Sequence, residues 1–255
     1  MNGIAKLKKK LVKREQIFAS MLCDAGHTSL PNLYSECGVE LLILDLEHGS
    51  FFPENVGDFL QLCNMVDIPT IARIQDCEYH CISKCLDMGA DGILIPRTES
   101  FEQVETAIAS MRLHPRGKKG IGGRALIRPG EDVYDINKNR LLFLQIESRA
   151  GIDLLPQFLT KYKDEIAGIL IGPCDLSVSL GCGLKLGSEP VIAAIRDTIR
   201  ICKEHEISVG MFMGGSDEAR RWQAEGMNIF WIGTEEILLI QALNRIREDL
   251  ESFPK

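Results

Sequence analysis

DMGADGILIP, residues 87–96, sets a helix end, a glycine and an apolar run too short for a helix within ten positions. The same order recurs in ECGVELLI (36–43) and AEGMNIFWI (224–232). In each, the glycine can take the left-handed conformation that closes a helix. The run that follows is apolar at nearly every position, so it has no polar face to turn toward water. A strand of that kind is covered on both sides, which is the condition of a parallel sheet wrapped by helices.

Outward from that stretch the pattern repeats along the chain. QIFASML (16–22), VELLILD (39–45), PTIARI (69–74), DGILIP (91–96), LLFLQIE (141–147), IAGILIG (166–172), ISVGMFM (207–213) and NIFWIG (228–233) read as eight strands. Helical periodicity fills most intervals, over 31–36, 54–65, 78–88, 101–111, 149–161, 189–204, 216–225 and 234–251. Eight alternating units predict an α/β protein with a (β/α)8 TIM barrel as one domain over residues 1–255, preceded by an N-terminal helix. A doubly wound sheet would want GxGxxG after the first strand, where the chain reads MLCDAGHTS (21–29). One interval breaks the rhythm: Leu113–Arg140 is long and rich in Gly, Arg and Lys, the mark of a functional loop or an interface.

Composition narrows the function classes. A net charge of −7 argues against nucleic acid as a partner, and no apolar run is long enough to cross a membrane. Nine cysteines without a CxxC pair fit reduced thiols and a cytoplasmic setting. The basic cluster Lys6–Arg14 could meet phosphate or anionic lipid, or be the polar face of an amphipathic helix.

Barrel enzymes draw their chemistry from the C-terminal ends of strands. Those ends supply Asp45, Glu47 and His48, then Arg73, Arg97, Gln145 and Glu147, and Asp175 after Gly172. Glu147 and Asp175 either converge on a hard divalent cation or cap the helix and turn that follow them. His48, three residues after Asp45, reads as a carboxylate-oriented base or as a rim histidine. Arg73, in an otherwise apolar strand, needs an acidic neighbour or an oxyanion. Cys77, Cys81 and Cys85 share a helix face and read as core.

Together LDLEHGSF (44–51), IARI (71–74), KCLDMGADGILIPRTES (84–100), PRGKKGIGGR (115–124), LQIESRAGIDLL (144–155) and LIGPCDLSVSLG (170–181) resemble the HpcH/HpaI family of metal-dependent class II pyruvate aldolases. The resemblance implies a (β/α)8 barrel and reversible retro-aldol cleavage of a 4-hydroxy-2-oxo acid to pyruvate and an aldehyde. It implies Glu147 and Asp175 as ligands of Mg2+, Mn2+ or Co2+, Arg73 on the keto oxygen, and His48, oriented by Asp45, as the base acting through a metal-held water. The N–H groups around Cys174 and Asp175 would receive the carboxylate, Gln145 would sit beside the metal, and Phe212 would narrow the aldehyde side. Glu47 would be a supporting partner. Family members form hexamers, in which Asp87 would approach a neighbour's site. Lys119 stands where an Arg is common, and Cys174 where a small Ala is. Two other readings stay open: a related lyase acting on acyl-CoA esters, with Arg97, Arg124 and Arg128 as a basic groove, or on oxaloacetate; and a barrel that binds a keto acid without turning it over.

Overall fold

The computed structural model describes residues 2–253 apart from Ala25, Phe52, Arg124 and Pro129. Eight strands, β1 (Ile17–Leu22), β2 (Leu41–Asp45), β3 (Thr70–Arg73), β4 (Gly92–Ile95), β5 (Leu141–Ile146), β6 (Ile166–Ile171), β7 (Val209–Met213) and β8 (Ile229–Thr234), close in chain order into an all-parallel barrel. The helices are α1 (Gly3–Lys13), α2 (Leu30–Glu36), α3 (Pro53–Met65), α4 (Tyr79–Asp87), α5 (Phe101–Met111), α6 (Ile136–Asn139), α7 (Arg149–Tyr162), α8 (Pro173–Ser179), α9 (Glu189–Glu204), α10 (Ser216–Glu225) and α11 (Glu235–Glu251). The expected (β/α)8 barrel is therefore the fold. Gly38, Gly89 and Gly226 have φ of 78°, 107° and 108°, the left-handed turn expected at the helix ends.

The period of two along each strand divides the apolar residues into two cores. Leu42, Leu44, Ile93 and Ile169 face the helices, whereas Leu41, Ile43, Ile71, Phe143, Leu170 and Trp231 fill the barrel. The inward set, continued one step, is Asp45, Arg73 and Gln145: the parity that packs the barrel also delivers polar groups to its C-terminal mouth. At the opposite mouth α1 inserts Ile4, Leu7 and Leu11 into the inner core. The N-terminal helix is amphipathic, as its pattern predicts, and it plugs the barrel.

Two features depart from expectation. The segment after β6 is the short helix α8 rather than a turn. α4 starts at Tyr79, so Cys77 precedes it; Cys85 is buried, and Cys77 and Cys81 are partly buried against the same core. The long loop 113–140 leads from the end of α5 into the start of β5, which places it on the N-terminal face, away from the catalytic end of its own barrel. Among the described residues no helix is long and apolar enough to cross a membrane.

That loop is clamped by charge. Arg140 donates to both oxygens of Glu131, at 3.0 and 2.7 Å, and to the Leu126 carbonyl. Burial alone would raise the Glu131 carboxyl, but hydrogen bonds from Arg140, from the Arg128 N–H and from Asn139 bring it down from 4.5 to about 2. A depressed acid contributes stability above its unfolded pKa and loses it as pH falls through the folded one. Unfolding free energy should therefore fall between about pH 4.5 and about pH 2. Glu131→Gln should flatten that part of the slope and cost on the order of 2–4 kcal/mol at neutral pH. Urea denaturation across pH measures both, and an unchanged slope in the variant would show that the clamp carries no such linkage.

Candidate active site at the C-terminal mouth of the barrel

Register puts Asp45, the last residue of β2, directly beside Arg73, the last residue of β3. The guanidinium binds in a fork: Nε donates to Oδ1 at 2.8 Å and Nη2 to Oδ2 at 2.6 Å. Asp45 is 1% exposed and Arg73 9%, so Asp45 without Arg73 would be an uncompensated buried charge, and Arg73 without Asp45 would lose both hydrogen bonds of its fork. Burial opposes ionisation of Asp45, yet the Arg73 guanidinium and two backbone N–H groups hold its carboxyl below the ordinary range.

The expected Asp45–His48 dyad is not formed. Asp45 Oδ1 accepts the backbone N–H groups of Glu47 at 3.0 Å and His48 at 3.3 Å, so it shapes the turn rather than the imidazole. The guanidinium, buried inside the barrel, outcompetes a side chain that remains 69% exposed. The carboxylate beside His48 is that of Glu47, with Oε1 3.9 Å from Nε2. Glu47 also lies 3.5 Å from Arg73 Nε and 3.4 Å from Arg97 Nε.

Glu147 follows β5 on the inward parity. Its Oε1 accepts the Arg97 N–H at 2.6 Å and its Oε2 accepts Gln145 Nε2 at 2.5 Å. It is not the cap of α7: Ser148 is, with Oγ accepting the Gly151 N–H at 3.1 Å. Burial pushes the Glu147 carboxyl up to about 7, against those two hydrogen bonds, and the charges of Asp175 and Glu47 add to the rise. Asp175 lies exposed in the first turn of α8, with Cys174 exposed beside it. A Cβ on Gly172 would fall 2.2 Å from Glu147 Oε2 and 2.8 Å from Gln145 Nε2, so a larger residue here would displace the side chains that meet at this carboxylate.

The donor chemistry fits a hard divalent cation. Gln145 Oε1 is buried without a hydrogen-bond partner and stands next to a carboxylate crowded by two others. An unpaired oxygen and mutually repelling carboxylates are both relieved by one cation. Among the described residues no group of three or more His, Cys, Asp or Glu could hold a metal, so the set is two carboxylates with an amide oxygen at hand. That suits Mg2+ or Mn2+, which keep water and substrate as ligands, better than Zn2+.

The remaining candidates are dispersed. Phe212 packs edge-on against Trp231 inside the barrel, centroids 5.3 Å apart. Asp87 ends α4 on the N-terminal face, where Lys119 Nζ holds it at 2.6 Å, so it is not part of its own barrel's catalytic mouth. The basic groove for a CoA nucleotide is not assembled by Arg97 and Arg128. Arg97 follows β4, whereas Arg128 reaches Asp91, just before β4, at 2.6 Å, and also Asn64. Arg124 lies outside the described residues.

Glu235 and Cys23 escaped sequence reasoning. Glu235, in the first turn of α11, accepts the N–H of Cys23 at 3.0 and 3.1 Å and of Asp24 at 2.6 Å. Ser50 N–H in turn reaches Cys23 O at 2.9 Å and Asp24 Oδ1 at 3.1 Å, so the loop bearing His48 hangs from the loop after β1. Cys23 Sγ sits 3.7 Å from Asp45 Oδ2. Glu235 reads in sequence as one of the acids common at a helix start; its position directly after a strand end was the available signal.

Residues 26–242 match the family model described as HpcH/HpaI aldolase/citrate lyase. The chain belongs to this family. It is thus an enzyme of the aldolase type of lyase. The chain is 30% identical over 216 residues to a 4-hydroxy-2-oxo-heptane-1,7-dioate aldolase of Klebsiella pneumoniae, covering 81% of this chain and 79% of the relative. It is 29% identical over 227 residues to a hydroxypyruvate/pyruvate aldolase of Roseovarius nubinhibens, covering 86% and 87%. Its fold superposes with a TM-score of 0.88 on the crystal structure of an HpcH/HpaI aldolase/citrate lyase family protein from Burkholderia cenocepacia, at 22% identity over 97% of this chain and 99% of that one.

The pairing at this HpcH/HpaI site is open to test through stability. Asp45→Asn strands a buried guanidinium and should cost about 3–5 kcal/mol, while His48→Ala at an exposed position should change stability by no more than about 0.5 kcal/mol. Equal losses in urea denaturation would contradict the Asp45–Arg73 arrangement.

Proposed function

We propose that the protein reversibly cleaves a 4-hydroxy-2-oxo acid to pyruvate and an aldehyde, with a divalent cation, Mg2+, Mn2+ or Co2+, held by Glu147 and Asp175. One observation carries the reading: two acids and an unpaired amide oxygen meet at the barrel mouth beside a guanidinium fixed in place by Asp45. Among the relatives, the Klebsiella and Roseovarius aldolases are named for a hydroxy-oxo acid and for pyruvate, in line with this substrate class.

Breaking the carbon–carbon bond leaves negative charge on the pyruvate fragment, and the barrier falls with whatever holds that charge. A bound cation supplies a concentrated positive charge to the keto acid's oxygens. Arg73 supplies a second. A guanidinium has five N–H donors, and Asp45 takes two, so the others can face the keto oxygen without the side chain losing its anchor. Gln145 orients Glu147, and the N–H groups of Cys174 and Asp175 at the start of α8 take the substrate carboxylate. His48 accepts the hydroxyl proton of the aldol, with Glu47 rather than Asp45 as the carboxylate that favours its charged form. Phe212 borders the aldehyde side.

Enolisation can be read without knowing the aldehyde. Exchange of the pyruvate methyl protons in D2O, followed by NMR, should require added divalent metal. It should vanish with EDTA and in Glu147→Gln, and fall about 10²–10³-fold in Arg73→Lys. Exchange that survives exhaustive chelation would overturn the metal-dependent reading; metal binding without any exchange would favour a keto-acid-binding barrel.

The reading includes self-association. α11 buries none of its residues, and Leu239, Leu243, Ile246 and Leu250, spaced four, three and four apart on one face, are 60%, 57%, 55% and 57% exposed. A stripe of that kind is the seam of a helix that packs on a partner. A homo-oligomer, a hexamer by family resemblance, gives α11 its cover and lets Asp87 serve a neighbour's site. Light scattering should find an assembly, and Leu243→Glu with Ile246→Glu should lower its mass; a wild-type monomer at micromolar concentration would refute this part.

A further inference from the structure

Two stretches have no part in the catalytic mouth: the basic first helix and the Gly/Arg/Lys-rich loop between α5 and β5. They meet at the opposite end of the barrel. There α1, the loop, and the starts of β5, β6 and β7 enclose a cavity of about 670 Å³. Six cations line it, Lys8, Arg112, Arg116, Lys138, Arg140 and Lys163, against three acids, Asp164, Glu165 and Glu206.

Several of these charges are internally balanced. Arg140 is occupied by Glu131, Lys163 pairs with Glu206 at 3.0 Å, and Lys138 lies 3.8 Å from Asp135. Three are not. Arg112 and Arg116 share one carboxylate, Glu165: Arg112 Nε reaches Oε2 at 2.7 Å and Arg116 Nη2 reaches Oε1. Lys8 Nζ spends its donors on neutral oxygens, Lys138 O at 2.6 Å and Asn139 Oδ1 at 3.1 Å. Arg112, only 4% exposed along its side chain, cannot relieve its charge by turning to water. Burial and then the nearby Arg112 charge push the Lys8 ammonium below its ordinary value. Like charges gathered in a concave, half-buried site cost free energy that an anion would return. Leu11, Leu141, Ile166 and Ile207 supply an apolar wall.

We propose that this cavity is a binding site for a small organic oxyanion, with a phosphate or carboxylate group seated between Lys8 and the Arg112–Arg116 pair and an apolar portion on the strand starts. The ligand size follows from a volume typical of small-molecule pockets. The group must be anionic because Lys8, Arg112 and Arg116 face only Glu165 and Asp164, which leaves positive charge in excess, and guanidinium forks match planar carboxylates and phosphates alike. The site is separate from the substrate's: Leu141 and Ile166 stand at the strand ends opposite Gln145 and Ile171.

Isothermal titration of the full-length protein with pyrophosphate and, separately, citrate, in EDTA, tests the assignment. The wild type should bind at least one of them, and the preferred anion names the headgroup. Lys8→Gln with Arg116→Ala should weaken that binding about tenfold or more, because Glu165 keeps Arg112 and the fold loses no buried pair. An unchanged melting temperature and unchanged metal-dependent pyruvate exchange confirm that the variant is intact; if it is not, Lys8→Gln alone replaces it, with weaker binding again expected. Saturating pyruvate should not compete. Absence of binding by both anions at about 10 mM, affinity indifferent to the substitutions, or displacement by pyruvate would each overturn the proposal.

Discussion

The catalytic mouth depends on one buried ion pair. Asp45 and Arg73 are neighbours because β2 and β3 are in register, and both point inward because each continues an apolar alternation that fills the barrel. Without Arg73 the Asp45 carboxylate is an unpaired charge in a water-poor site, and without Asp45 the guanidinium loses its fork and keeps only the longer contact to Glu47. The pair fixes the guanidinium in two dimensions through its fork, which engages Nε and Nη2 and not Nη1. It also shapes the turn that follows β2, since the same carboxylate holds the N–H groups of Glu47 and His48. One aspartate thus places an arginine, a glutamate and a histidine, which is more than the orienting of a base that the spacing of Asp45 and His48 suggests.

The fold was legible because its signals are local and repeated. Eight apolar runs, each preceded by helical period and several by a capping glycine, leave few ways to arrange a chain of this length, and the barrel follows without reference to any relative. Which residues reach the mouth was also legible, since strand parity is counted from sequence. What they touch there was not. Whether Asp45 faces His48 or Arg73 depends on register and on the relative exposure of the two partners, and neither is written in the segment 45–48. Glu147 is similar: sequence alone balances a helix cap against a ligand, and the balance tips once Ser148 takes the cap.

The loop between α5 and β5 illustrates a different limit. Its length and composition mark it as more than a connector, and in a barrel the temptation is to place such a loop over the active site. Direction decides otherwise. A connection from a helix to the next strand lies at the N-terminal face, and there this loop is tied by Lys119 to Asp87, by Arg128 to Asp91 and by Arg140 to Glu131. Its basic residues serve the closed end of the barrel, next to the helix α1 that plugs it.

The two ends of the chain accordingly do opposite work on one barrel. α1 closes the N-terminal mouth by burying Ile4, Leu7 and Leu11 in the inner core. α11 leaves none of its residues fully buried, yet its first turn sends Glu235 to the backbone of Cys23 and Asp24, and through Ser50 that loop supports the segment bearing His48. A helix with an exposed apolar face that also holds the rim by a carboxylate can couple the two. In the assembly proposed above, packing α11 against another chain would also steady the segment bearing His48, because Glu235 holds the loop after β1 from which Ser50 hangs.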